Sequence, residues 1–220
     1  MTFFLICLAV TILLVVLFTI FVTIPIQREQ AQQNNSKEIT MKKLLIIVDI
    51  QHDFVDGSLG SEDAQSIVPR VADKIRNWKG DVICTLDTHG ANYLETKEGK
   101  MLPVTHCVEG TTGHGLVESV TRAAFENQNI VFTTLQKRTF GSTALPEIIR
   151  GMNLERIEIV GLCTDICVVS NALLLRANYP ELDIAVDASC CAGTSKENHN
   201  AALTVMKQCQ IEIVGNEVIS

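Results

Sequence analysis

Residues 41–220 alternate between short apolar runs and longer stretches with helical spacing, and this alternation constrains the fold more than any other feature. The apolar runs are rich in β-branched residues and nearly continuous, as is typical of strands buried on both faces of a parallel sheet. Strands are predicted over 44–49, 81–87, 129–135, 156–162, 182–187 and 211–215. Helices are predicted over 64–78, 115–127, 144–152, 165–178 and 195–209. This order predicts an α/β fold, a three-layer α/β/α sandwich with a parallel sheet of about six strands.

The N-terminal segment differs from the rest because its run 3–24 contains no charged residue. Such a run can cross the ~30 Å hydrocarbon core of a bilayer as a helix, and it lacks the basic start and the cleavage site of a signal peptide. Three regions are predicted: a transmembrane anchor over 1–24, a polar linker over 25–40 and a globular domain over 41–220. The nearby lysines and arginines all follow the run, which predicts a membrane protein with a cytoplasmic domain. The alternative is a soluble cytoplasmic chain that begins at Met41.

Composition excludes two classes of protein. The formal net charge of -7 argues against a nucleic-acid-binding protein, which normally presents a basic face. The eight cysteines include no C-x-x-C pair, and the chain is not short and loop-rich, so a disulfide scaffold is not expected. Free thiols in a reducing compartment fit the sequence better.

Reactive side chains follow several of the predicted strands. Asp49 follows the first strand, Asp87 and His89 the second, Lys137 the third and the segment 163–167 the fourth. The carboxyl ends of parallel strands meet at one edge of an open sheet, where ligands bind. We therefore predict an active site at this edge, built from carboxylate, imidazole, amine and thiol groups.

Cys167 is the candidate nucleophile. Its place at the start of a predicted helix, which Thr164 or Asp165 could N-cap, predicts a lowered thiol pKa and a thiolate. Asp49 could accept the thiol proton, and Lys137 could hold the resulting anionic pair in place.

Cys163 and His199 are two further residues with a possible role in the site. Cys163 is a rival nucleophile because it lies closer to the strand end, although we expect it to contribute only its backbone. His199 is predicted to lie on a helix surface with no part in the site.

Three segments resemble motifs of the isochorismatase-like cysteine hydrolases: LLIIVDIQHDF, the lysine-containing QKRTFGS, and VGLCTDICV. The resemblance extends through nearly all of the predicted globular domain. It implies a catalytic triad of Asp49, Lys137 and Cys167 on an α/β/α fold. It also implies that the backbone N–H groups of Cys163 and Cys167 hold the oxyanion, beside a cis peptide bond between Leu162 and Cys163.

The segment TLDTHGANYLETKEGKMLPVTHCVEGTTG resembles the metal-binding loop of nicotinamidases, one branch of this family. Many nicotinamidases have a further histidine where this chain has Tyr93, while another branch uses a later glutamate at the spacing of Glu98. Glu95 is the alternative to Glu98. The resemblance thus implies the metal ligands Asp87, His89, Glu98 and His106. Nitrogen and oxygen ligands together suit Zn²⁺, Mn²⁺ or Fe²⁺.

The function implied by the resemblance is hydrolysis of nicotinamide to nicotinate and ammonia in NAD salvage, through a cysteine thioester and with the metal orienting the pyridine ring. Phe54 and Leu102 match the positions whose side chains sandwich the ring in relatives, although an aromatic residue is usual in place of Leu102. The alternatives are a metal-free amide or N-carbamoyl hydrolase of the same family, and a membrane-tethered binding protein without turnover. Self-association into a homo-oligomer is compatible with the sequence.

Overall fold

A computed structural model of the chain describes residues 18–19 and 42–215. It divides into two units, residues 1–40 and residues 41–220. The predicted anchor and linker lie outside the described residues, apart from 18–19. Within the described part of the chain, no helix has the length and apolar character needed to span a bilayer.

The second unit is built on a six-stranded sheet in which every neighbouring pair is parallel. Its strands are β1 (Lys42–Val48), β2 (Gly80–Asp87), β3 (Ile130–Lys137), β4 (Leu154–Leu162), β5 (Asp183–Ala192) and β6 (Glu212–Val214). The strand order is β3-β2-β1-β4-β5-β6. The chain therefore changes direction across the sheet between β1 and β4, and the crevice outside their carboxyl ends is where ligands bind in such folds.

The helical elements are α1 (His52–Val55), α2 (Glu62–Asn77), a 3₁₀ turn (Tyr93–Glu95), α3 (Lys97–Met101), α4 (Glu118–Glu126), α5 (Leu145–Ile149), a π-helical turn (Thr164–Val168), α6 (Val169–Asn178) and α7 (Lys196–Gln208). Alternate side chains of β1 belong to two separate cores: Leu45 packs with residues of α2 and α4, and Leu44 packs with residues of α5, α6 and α7. The three-layer sandwich predicted from the sequence is therefore confirmed.

Two details of the sheet differ from the sequence prediction. Strand β3 is not buried on both faces: Val131 is 64% exposed, because β3 is an edge strand with a neighbour on one side only. Strand β5 continues to Ala192, beyond the predicted end at 187. Its extension pairs Cys191 with Gly161 and so reaches the carboxyl edge of β4.

Candidate active site

Asp49 follows β1 in a constrained conformation. Its φ of 51° lies in the left-handed region, which costs a non-glycine residue about 1–3 kcal/mol. The backbone N–H of Asp49 donates to the carbonyl of Thr85 over 3.2 Å, and the Thr85 hydroxyl donates to Asp49 Oδ1 over 2.7 Å. Both residues are fully buried. The end of β2 therefore holds the Asp49 carboxylate in one orientation.

Lys137 ends β3 and connects the other reactive groups. Its Nζ lies 2.7 Å from Asp49 Oδ2, 3.2 Å from Asp87 Oδ1 and 3.5 Å from Cys167 Sγ. Burial is the largest single effect and would lower the pKa of Lys137, but the negative charges of Asp49, Cys167 and Asp87 together outweigh it and raise that pKa well above the ordinary value. The buried amine is therefore a stable cation between two carboxylates and a thiol.

Cys167 lies in the π-helical turn, and its side chain is buried. Burial raises the pKa of the Cys167 thiol well above its ordinary value; the charge of Asp49 adds to the rise, and Lys137 opposes it. This direction is opposite to the lowered pKa predicted from the start of a helix, because burial removes the solvation that a thiolate requires. Burial also raises the pKa of Asp49, against the charge of Lys137, which suits this carboxylate to accept the thiol proton during reaction.

The predicted N-cap of this helix is also wrong. The residue before the turn is Cys163, and no side chain caps the turn. Thr164 Oγ1 instead lies 2.8 Å from His199 Nδ1, and the Asp165 carboxylate accepts a hydrogen bond from the backbone N–H of Thr194 over 2.8 Å. The Leu162–Cys163 peptide bond is cis, as the family resemblance implies.

Four possible metal ligands come together beside this cluster. One ligand atom each from Asp87, His89, Glu98 and His106 lies within 4.8 Å of the others. His89 Nε2 is 2.8 Å from Asp87 Oδ2 and 3.6 Å from Glu98 Oε1, and His106 Nε2 is 3.8 Å from Glu98 Oε1. Two carboxylates and two imidazoles form a donor set that fits a first-row divalent ion, with enough negative charge to balance it.

The surroundings of the four residues favour metal binding by His106. Its Nδ1 lies 2.8 Å from the carbonyl of Val104, to which it can donate, so Nε2 is the nitrogen that faces the cluster and is available as a ligand atom. Burial alone would raise the pKa of Asp87, but hydrogen bonds from His106 and His89 and the charge of Lys137 lower it far below the ordinary value. Asp87 is therefore ionised, as a metal ligand must be.

Tyr93 and Glu95 do not join this cluster. The Tyr93 hydroxyl donates to the carbonyl of Leu102 over 2.9 Å, and its buried ring packs against His89 and His106 with centroid distances of 4.6 and 4.9 Å. Glu95 is exposed. The geometry therefore agrees with Glu98 as the second carboxylate and makes Tyr93 a support behind the two imidazoles.

A cavity of about 410 Å³ opens onto both groups of residues. Its lining includes Cys163 and Cys167, Glu98 and His106, and the apolar side chains of Phe54, Leu59, Leu102 and Phe140. Phe140 was not expected from the sequence. The sequence feature that could have indicated it is its position three residues after Lys137, just beyond the end of a strand, at the edge of the sheet where the active site is predicted.

Comparison with known proteins places this geometry in a family. The family model of the isochorismatase domain matches residues 43–218 of the sequence. The chain belongs to the isochorismatase family. It is 27% identical over 184 residues to the nicotinamidase/pyrazinamidase of Mycobacterium tuberculosis, covering 78% of this chain and 98% of that protein. It is 26% identical over 207 residues to the nicotinamidase of Schizosaccharomyces pombe, covering 79% and 93%.

A similar solved structure is the pyrazinamidase of Pyrococcus horikoshii in complex with zinc. Its TM-score is 0.67 at 27% identity, and the match covers 80% of this chain and 99% of that one. These three relatives are named as nicotinamidases or pyrazinamidases, and the structure of one of them is in complex with zinc.

Proposed function

We propose that this member of the isochorismatase family is a nicotinamidase, which hydrolyses nicotinamide to nicotinate and ammonia in NAD salvage. The main support for the proposal is that Asp87 contacts both the reactive cluster and the group of possible metal ligands. Its Oδ1 contacts Lys137 of the reactive cluster over 3.2 Å, and its Oδ2 contacts His89 of the metal cluster over 2.8 Å. The candidate nucleophile and two of the candidate metal ligands also line one cavity, an arrangement that would suit an amide attached to a metal-binding ring.

The side chains of the reactive cluster can perform the covalent chemistry. Asp49 takes the proton of the Cys167 thiol, and the sulfur adds to the carboxamide carbon. Lys137 remains protonated and stabilises the negative charge on both partners. Backbone N–H groups of Cys163 and Cys167 would hold the oxyanion. Asp49 then returns its proton to the leaving nitrogen, the C–N bond breaks, and ammonia departs.

The second half of the reaction uses the same groups. Asp49 accepts a proton from water, the water oxygen adds to the thioester carbon, and the S–C bond breaks. Asp49 then returns its proton to the Cys167 sulfur, and the released acid loses its own proton to solvent as nicotinate. The walls of the cavity orient the ring, with Phe54 packed against His106 at a centroid distance of 5.4 Å.

The four clustered residues would hold the metal. A divalent ion bound by Asp87, His89, Glu98 and His106 would supply an electron-pair acceptor for a ring nitrogen. The residues allow zinc, manganese or iron, and the zinc complex of the Pyrococcus horikoshii pyrazinamidase makes zinc the first metal to test.

The test compares nicotinamide with benzamide, which has the same shape and carboxamide but a C–H group in place of the ring nitrogen. We expect kcat/KM to be higher for nicotinamide by about 100-fold or more, because only nicotinamide matches a site built for a polar ring atom. Equal rates would show that the ring nitrogen is not recognised. Hydrolysis of an N-carbamoyl compound instead would support the metal-free branch of the family.

We also propose that residues 3–24 anchor the protein in a membrane, with the enzyme domain in the cytoplasm. The support is the charge-free length of this run and the position of the positive charges after it. Full-length protein should remain with membranes through a carbonate wash. Detection in native cells of only a species that begins at Met41 would contradict the proposal.

A further inference from the structure

His199 contacts the turn that carries the nucleophile, and this contact was not expected. The side chain projects from α7, is half-buried and places Nδ1 2.8 Å from Thr164 Oγ1. His199 thus lies on a helix and is partly exposed, as predicted, but it also makes this contact with the turn. Thr164 is fully buried and begins the π-helical turn that contains Cys167. The hydrogen bond thus joins α7 to the start of that turn.

The surrounding packing leaves little room for this turn to shift. A Cβ atom on Gly193 would lie 2.8 Å from Asp165 Oδ1 and 2.9 Å from the His199 Cβ. The connection from β5 to α7 is therefore closely packed between the turn and the first part of α7. Gly193 and Thr194 also line the active-site cavity.

We propose that His199 is a positioning residue that, through Thr164, holds the turn carrying Cys167 in the orientation required for attack. The inference rests on Cys167 being the nucleophile of the proposed function. His199 is too far along the chain to belong to the motifs that carry the family resemblance, and it does not line the cavity that contains Cys167. Its effect is therefore expected on the reactivity of the thiol, with little effect on substrate binding.

The protonation state of His199 matters for this contact. Asp165 of the turn and Asp63 of α2 act on the imidazole through their charges, and Arg70 of α2 and Lys196 of α7 line the same surface pocket as His199. Burial lowers the pKa of His199, and the charges of Asp165 and Asp63 oppose that change. The imidazole is therefore neutral at neutral pH.

Acidification is expected to change the contact. A neutral Nδ1 can accept the Thr164 hydroxyl, whereas a protonated imidazole can only donate. Because burial favours the neutral form, the folded state loses stability as the pH falls below the ordinary His value of about 6.5. The reactivity of Cys167 should decrease over the same pH range. The part of this decrease that depends on His199 should be absent from a variant whose residue 199 does not titrate.

The experiment measures alkylation of Cys167 by iodoacetamide in the full chain, quantified by mass spectrometry of the tryptic peptide 157–176, with fragmentation to separate Cys167 from Cys163. His199→Leu should lower the alkylation rate about 10-fold or more, within the loss of up to ~100-fold that a small misplacement of a reacting group can cause. His199→Asn, which presents an amide oxygen near the place of Nδ1, should restore most of the rate. It should also remove the component of the pH profile that belongs to His199.

Thr164 provides a second pair of variants should His199→Leu fail to fold. Thr164→Val should reproduce the loss, Thr164→Ser should retain the rate, and Thr164→Val combined with His199→Leu should be no worse than either alone. For amide hydrolysis, kcat should fall in parallel while KM changes little. Normal alkylation in Thr164→Val, or equal loss in His199→Asn and His199→Leu, would overturn the inference. Because alkylation needs no substrate, a wild-type protein inactive on nicotinamide would refute the proposed function without affecting this test.

Discussion

Replacing Glu98 by alanine is expected to weaken zinc binding about 100-fold. Four-ligand zinc sites bind with about 10–16 kcal/mol, so one ligand contributes roughly 3 kcal/mol on average, which is about 100-fold in affinity. The Glu98 side chain is 26% exposed, whereas those of His89, His106 and Asp87 are 8%, 2% and 6% exposed. Water can therefore take the place of Glu98 more easily than that of the other three, and a loss much larger than this average is not expected.

The assay is a competition between the protein and a chelator of known zinc affinity, with metal content checked by mass spectrometry. Glu95→Ala is the matched control, because it removes an exposed glutamate three residues earlier that lies outside the cluster. It should bind zinc like wild type. Unchanged affinity in Glu98→Ala together with a loss in Glu95→Ala would refute the assignment of the second carboxylate. Nicotinamide turnover by Glu98→Ala should recover in part when zinc is added in excess.

Three other changes test separate parts of the site. Cys167→Ala should abolish ammonia release, while Cys163→Ala should retain substantial activity; the reverse result in the same assay would identify Cys163 as the nucleophile. Lys137→Met should lower the free energy of unfolding by about 3–5 kcal/mol in urea titrations, because it removes the buried cation between Asp49 and Asp87. Stability equal to that of the wild type would show that the ion pairs are not formed. Phe140→Ala should raise KM for nicotinamide roughly 5-fold, with kcat little changed, because it removes one aromatic contact with the ring. An unchanged KM would show that this side chain does not reach the substrate.

The strands could be predicted from the sequence because parallel strands are covered on both sides and their apolar runs are nearly continuous. The run 156–162 falls within β4, which is Leu154–Leu162. The end of β5 could not be predicted in the same way, since Ser189, Cys190 and Cys191 do not form a β-branched run. The exposure of Val131 depends on the order of strands across the sheet, which local sequence does not contain.

The reactive residues can be predicted from the sequence because the carboxyl ends of neighbouring strands must meet at one edge, which brings Asp49, Asp87 and Lys137 together. What the sequence could not supply was the environment of each group. The helix start predicted a thiolate at Cys167, but its actual burial favours the neutral thiol. His199 lies on α7, and its contact with Thr164 arises from tertiary packing.

The most direct test of the central claim is to trap the covalent intermediate on the full-length, zinc-loaded protein. Protein mixed with nicotinamide is quenched in acid and digested, and peptide 157–176 is analysed by mass spectrometry while nicotinate and ammonia are measured in the same reaction. We predict a nicotinoyl group on Cys167 in place of the thiol hydrogen, with nicotinate and ammonia formed in equal amounts. Zinc-loaded protein that forms neither product nor adduct, or that forms both products while Cys167→Ala remains active, would contradict the account.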